Sequence, residues 1–217
     1  MNVGIICEGT TDYEVLTVVV HRAIAPRIPT FTLLQPDGDR LAGPPSGPVS
    51  SGWQAVRRFL QTSEAGLRIG RFDLVVVHVD ADVEALVAGA LARHDSDERG
   101  GLDALCRHVK GWIGGEVPAN VVIVLPRASI EAWMVAAHMN YKDVEAKTDP
   151  VALLADGGLL PRRDGMVEKK RAAYRRLAET LPALMKDRRR VHALPELHRF
   201  IDKVKSRHRE MLRATRG

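Results

Sequence analysis

The residues of this chain whose types and spacing could do chemistry are carboxylates at the ends of apolar runs. Glu8 directly follows VGIIC at 3–7, and the pair Asp80-x-Asp82 directly follows FDLVVVHV at 72–79. Three carboxylates drawn together repel one another and are costly to bury unpaired. A divalent cation resolves that conflict. Hard oxygen ligands of this kind suit Mg²⁺ or Mn²⁺, with water and a substrate phosphate completing the octahedron. A lone D-x-D is equally what helix caps and turns use, and its coupling to Glu-Gly after an earlier strand is what directs the reading to metal. His78 shares a strand side with Asp80 and Asp82, where a satisfied core histidine is the plainer reading than a ligand.

Such a cluster needs a scaffold that returns the chain to one edge. The run at 3–7 has the continuous apolar character of a strand buried on both faces. A helix follows, with Thr10 or Thr11 as N-cap and a capping box from Thr11 to Glu14, and it stops before Pro26. Residues 30–35 read as a second strand, 72–79 as a central one and 120–125 as a fourth. Helices are expected from Trp53, at 101–113 and at 129–139. Strands alternating with helices four times predict an α/β domain: an open, mainly parallel sheet flanked by helices. Right-handed crossovers gather functional groups at the carboxyl ends of the strands. The segment 36–52, rich in Gly, Pro and Ser, is a long loop of the functional or mobile kind.

Past residue 148 the pattern becomes helical, at 149–156, 166–181 and 195–213. The reading is therefore an α/β domain at 1–145 with a basic helical extension at 146–217. Residues 161–217 hold 18 Lys/Arg against 7 Asp/Glu, a net +11, whereas residues 1–160 hold 14 against 20, a net −6. An acidic body with a basic end suits a polyanionic partner, although Lys and Arg also solvate outer helix faces.

Hydrophobic residues make up 45% of the 217, enough for a real core. No apolar run approaches the roughly 20 residues that span a bilayer. The start, MNVGIICEG, reads as a strand rather than a signal peptide. Cys7 and Cys106 form no C-x-x-C pair, which excludes a zinc knuckle and leaves two reduced thiols of a cytoplasmic protein.

The pattern IICEGTTDYEVL, then VVHVDAD, then SIEAW resembles the TOPRIM domain of topoisomerases, primases and OLD-type nucleases. It is most similar to stand-alone bacterial defence-associated types such as the RloB-like proteins. The resemblance runs from residue 3 to 140 in order and spacing. It implies a Rossmannoid fold in which Asp80 and Asp82 hold Mg²⁺ and Glu8 is a metal ligand or a general acid/base. In the stand-alone relatives an acid two residues before a Trp recurs after the fourth strand, which adds Glu131 to the metal site. Trp133 itself reads as core. The OLD-type comparison also implies a lysine near the metal, for which Lys169 and Lys170 are candidates. Arg171 lies in the same basic run, and Arg162 and Arg163 are phosphate-holding candidates on the same reasoning. A solvated helix face accounts for Lys169 and Lys170 equally well. Asp12 and Glu14 are acids of a first helical turn, and for Glu14 that ordinary role is preferred.

The activity implied is metal-dependent hydrolysis of DNA or RNA in bacterial genome or anti-phage defence. The rival is a non-catalytic nucleic-acid-binding or regulatory subunit serving an ATPase partner. With no P-loop and no G-x-G-x-x-G after a strand, nucleotide-motor and dinucleotide readings fail. Tyr13 has a plain packing role in its helix, so a covalent topoisomerase-like mechanism is unsupported.

Overall fold

The computed structural model describes residues 1–36, 51–81, 98–114, 116–139, 141, 143–146 and 149–214, with 98–101 as backbone alone. Asp82, most of the 36–52 segment and the stretch 83–97 lie outside the described residues. The chain divides into two compact units that do not follow chain order. One comprises Met1–Gly9 with Pro29–Arg127, the other Thr10–Ile28 with Ala128–Gly217.

The first unit is built on a four-stranded sheet: β1 (Asn2–Ile6), β2 (Thr30–Gln35), β3 (Leu74–His78) and β4 (Val121–Val124), in the order β2-β1-β3-β4. Every pairing is parallel, with Val3 opposite Leu74 and Val75 opposite Val121. β3 and β4 are buried at every residue, as their unbroken Val-rich sequence requires of strands covered on both faces. Among its described residues this unit has the helices α2 (Trp53–Leu60), α3 (Ser63–Ile69) and α4 (Glu98–Trp112). Ile6, Val75, Val77 and Ile123 of the sheet share one core with Val56 and Leu60 of α2, Ile69 of α3, and Leu105 and Val109 of α4. The break before α3 was not expected from the sequence. Thr62 makes it, its hydroxyl accepting from the Ala65 N–H at 3.2 Å as an N-cap.

The second unit is mainly helical. It contains α1 (Thr10–Ala23), α5 (Glu131–His138), a short 3₁₀ turn at Val144–Ala146, α6 (Pro150–Asp156), α7 (Arg171–Ala178), α8 (Leu181–Leu184), α9 (Arg188–His192) and α10 (Pro195–Ala214). α1 packs on α7, α8 and α10 through its buried stripe of Val15, Leu16, Val19 and Val20. Trp133 of α5 is fully buried and stacks on Phe200 of α10 at 6.0 Å between centroids, which makes it core, as its sequence suggested.

Three expectations are corrected here. The helix read over 166–181 begins only at Arg171. Ahead of it Arg162–Arg163 and Met166–Val167 form a two-stranded antiparallel hairpin, β5 and β6. Its turn is Asp164-Gly165, both at positive φ (51° and 78°), and Asp-Gly is a pair that favours such turns. The capping box from Thr11 to Glu14 is not formed, because the helix already starts at Thr10 and Glu14 is held by arginines of α7. The helix expected at 129–139 starts at Glu131, with Ile130 at the cap position and no side-chain bond there. Among the described residues no helix is long and apolar enough to cross a membrane.

Candidate metal centre

Glu8 and Asp80 are brought together by strand pairing. The β1–β3 register ends at Ile6 opposite Val77, so two further residues along each strand put Glu8 level with Val79 and beside Asp80. The Asp80 backbone N–H donates to Glu8 Oε1 at 2.8 Å. This contact lies beyond the carboxyl ends of the two central strands. β2 flanks β1 on one side and β3 flanks it on the other, so strand order reverses here, where open α/β sheets bind ligands.

Two more groups of the same unit define the site. His78 is fully buried, and its Nε2 lies 3.1 Å from Asp80 Oδ1, so the imidazole restrains a carboxylate that is itself 16% exposed. The shared strand side expected from alternation is therefore real for this pair. Gly52 was not foreseen. Its N–H donates to the Glu8 carbonyl oxygen at 2.9 Å, and it stands at the N-cap of α2 with φ 79°. A Cβ there would come within 4.0 Å of Glu8 Oε2. The Gly/Pro/Ser-rich segment thus ends against the acid that precedes it by more than forty residues. Its signal in the sequence was only the glycine before a helix start.

Glu8 and Asp80 carry hard carboxylate oxygens, the donor type that Mg²⁺ and Mn²⁺ take, and the contact between them runs from the Asp80 backbone to the Glu8 carboxylate. Among the described residues no group of three His, Cys, Asp or Glu side chains assembles as a ligand set. The expected third carboxylate, Asp82, is outside them.

Glu131, Glu14 and the basic candidates fall in the second unit, each beside an oppositely charged side chain there. Glu131, 1% exposed, receives Lys169 Nζ at 2.9 Å and the Tyr174 hydroxyl at 2.6 Å on the same oxygen. Burial pushes its carboxyl up, but the Lys169 charge and the hydrogen bonds from Tyr174 and Lys169 outweigh that and hold it below the ordinary range. Glu14, also buried, takes Arg171 Nε on one oxygen and Arg175 Nε on the other, the latter at 2.8 Å. Burial again raises its carboxyl, and the hydrogen bonds from Arg175 and Arg171 lower it further than burial lifts it. Lys170 meets Glu168 at 2.6 Å and Arg162 meets Asp156 at 2.6 Å, while Arg163 stands at 3.9 Å from both Asp164 and Glu168. Each of the five cations proposed for phosphate therefore has a carboxylate neighbour.

Sequence reasoning missed Tyr174 and the Arg171/Arg175 clamp. The spacing of the two arginines, one helical turn apart, was the available signal. Glu145 was missed as well. It accepts Trp133 Nε1 at 2.8 Å and the backbone N–H groups of Glu196 and Leu197, and burial nevertheless keeps its carboxyl above the ordinary range. Cys7 is buried, its Sγ 3.1 Å from the Gly9 carbonyl, Cys106 is partly buried, and both are free thiols.

No protein-family model matches the chain, and neither a curated protein nor a solved structure matches it.

Proposed function

We propose that this chain is a TOPRIM-like, divalent-metal-dependent phosphodiesterase acting on DNA or RNA, in bacterial genome or anti-phage defence. The observation that carries the reading is the meeting of Glu8 and Asp80 beyond the ends of adjacent parallel strands, with the Asp80 N–H on the Glu8 carboxylate at 2.8 Å. Asp80, joined by Asp82, would hold Mg²⁺ or Mn²⁺ beside Glu8, whereas Glu131 is engaged by Lys169 and Tyr174. Bound there, the ion would supply Lewis acidity toward water and offset phosphate charge.

Hydrolysis forms a bond from a water oxygen to phosphorus and breaks one P–O ester bond. The water loses a proton and the leaving oxygen gains one. Glu8 would accept the proton from water. The Asp80 N–H fixes one of its oxygens, and Gly52 anchors its backbone. His78 keeps Asp80 in one orientation, the role a supporting shell plays around acidic ligands.

The test is cleavage of single- and double-stranded DNA and RNA with Mg²⁺ or Mn²⁺, beside the melting temperature with and without metal. Either metal is expected to raise the melting temperature by linkage. Asp80→Ala is expected to abolish both that rise and cleavage while leaving the metal-free melting temperature near wild type. Glu8→Gln is expected to keep metal binding and lose about 10²–10⁴-fold in rate, the scale of a lost general base. Wild-type cleavage by Asp80→Ala would overturn the proposal.

A further inference from the structure

A cavity of about 600 Å³ opens in the second unit between the end of α1, the segment from α8 to α9, and α10. Its wall carries Arg22, Lys186, Arg188 and Lys205, together with His192, His198 and a single carboxylate, Asp202. Four cations against one carboxylate leave a net +3 from these five groups. Asp202 is turned to His198, 3.5 Å away, and the two imidazoles are tilted 38° to one another with centroids 4.3 Å apart.

Among the described residues, these four cations lack the carboxylate partners that several other cations of the unit have. Lys169, Lys170, Arg162, Arg171, Arg175, Arg199 and Arg207 each sit on a carboxylate. Among the described residues none of Arg22, Lys186, Arg188 and Lys205 has one within 4 Å. Four like charges facing one cavity with a single carboxylate among them repel, and an anion bearing several charges relieves all of them at once. The floor is apolar, formed by buried Ala23, Val191 and Ile201. A volume of this size falls within the range of about 300–1,000 Å³ that holds small organic ligands.

We propose that this cavity binds closely spaced phosphoryl groups, as carried by a compact polyphosphate. Arg188 and Arg22 offer planar forks for phosphate oxygens, and Lys186 and Lys205 act as point charges. The site uses neither Glu8 nor Asp80, so it stands or falls apart from the metal-centre reading.

Calorimetric titration of the full chain in EDTA tests it, with inorganic tripolyphosphate in one arm and a short single-stranded oligonucleotide in the other. Sulfate at matched ionic strength is the reference. Lys186, Arg188 and Lys205 are exposed, so Lys186→Ala, Arg188→Ala and Lys205→Ala should keep the melting temperature of the free protein. Each is expected to weaken tripolyphosphate binding about tenfold, the scale of one charge-assisted hydrogen bond. Arg199→Ala and Arg207→Ala, which remove paired cations, should leave it unchanged. Binding of the oligonucleotide alone, with the same residue dependence, supports the phosphoryl site and assigns a nucleic-acid backbone as its source. Binding no tighter than that of sulfate, or equal loss in the paired and unpaired variants, overturns it.

Discussion

Glu14 and Glu131 show how single residues divide the labour of charge in this protein. Both carboxylates are buried and both are held ionised by cations that remain partly in water, Lys169 being 49% exposed. Because that half of each pair is solvated, the interaction is worth less than a fully buried ion pair. Replacing Glu131 with Gln should lower stability by about 1–3 kcal/mol, from the lost charge-assisted bonds to Lys169 and Tyr174. Urea unfolding in metal-free buffer measures it, and an unchanged midpoint would show that the carboxylate is dispensable to folding. The pH dependence follows from the same groups. Their folded pKa values are depressed, so their stabilisation is present above the unfolded glutamate value of about 4.3 and is lost as pH falls through the lower folded values. Glu14→Gln should therefore unfold with a shallower acid-side decline than wild type. Parallel profiles from neutral pH to about pH 3 would refute the assignment.

At the scale of elements, two glycines are held for different reasons. Gly4 sits in β1, where an added Cβ would meet Leu34 Cδ1 at 2.8 Å and Phe72 Cγ at 3.2 Å. Gly4→Ala should cost about 1–3 kcal/mol by overpacking. Gly165 has open space around it but lies at φ 78°. Gly165→Ala should cost about 1 kcal/mol through backbone strain alone. Chemical denaturation of both variants separates the two causes, since a second substitution, Leu34→Ala, should recover part of the loss in Gly4→Ala and none in Gly165→Ala. The sheet was readable because β1, β3 and β4 are almost wholly apolar. The β5–β6 hairpin was overlooked because strands of two residues carry no periodicity, and only the Asp164-Gly165 turn marks them.

Across the whole molecule, the net +11 of residues 161–217 overstates the charge available to a partner. Many of those cations are already bound to carboxylates, which leaves the unpaired set around α9 and α10 as the stronger attraction. Nucleic-acid affinity should fall linearly on a log–log plot against salt, as condensed counterions are released. Arg188→Ala should reduce that slope more than Lys169→Ala. Fluorescence anisotropy at several salt concentrations measures both, and a salt-independent affinity would remove the polyanion reading of the charge asymmetry.

Read alone, the amino-acid sequence determined the parallel α/β sheet and the placement of Glu8 and Asp80 at its carboxyl edge. Apolar runs set the strands, and the geometry of parallel crossovers then brings the strand ends to one side. Only the tertiary structure decided which charges meet. Glu14 is 157 residues from Arg171, and Glu131 is 43 from Tyr174. No local period links such positions, because an ion pair depends on how helices far apart in the chain come to pack. The same packing decides which cations are neutralised and which four stand unpaired around one cavity.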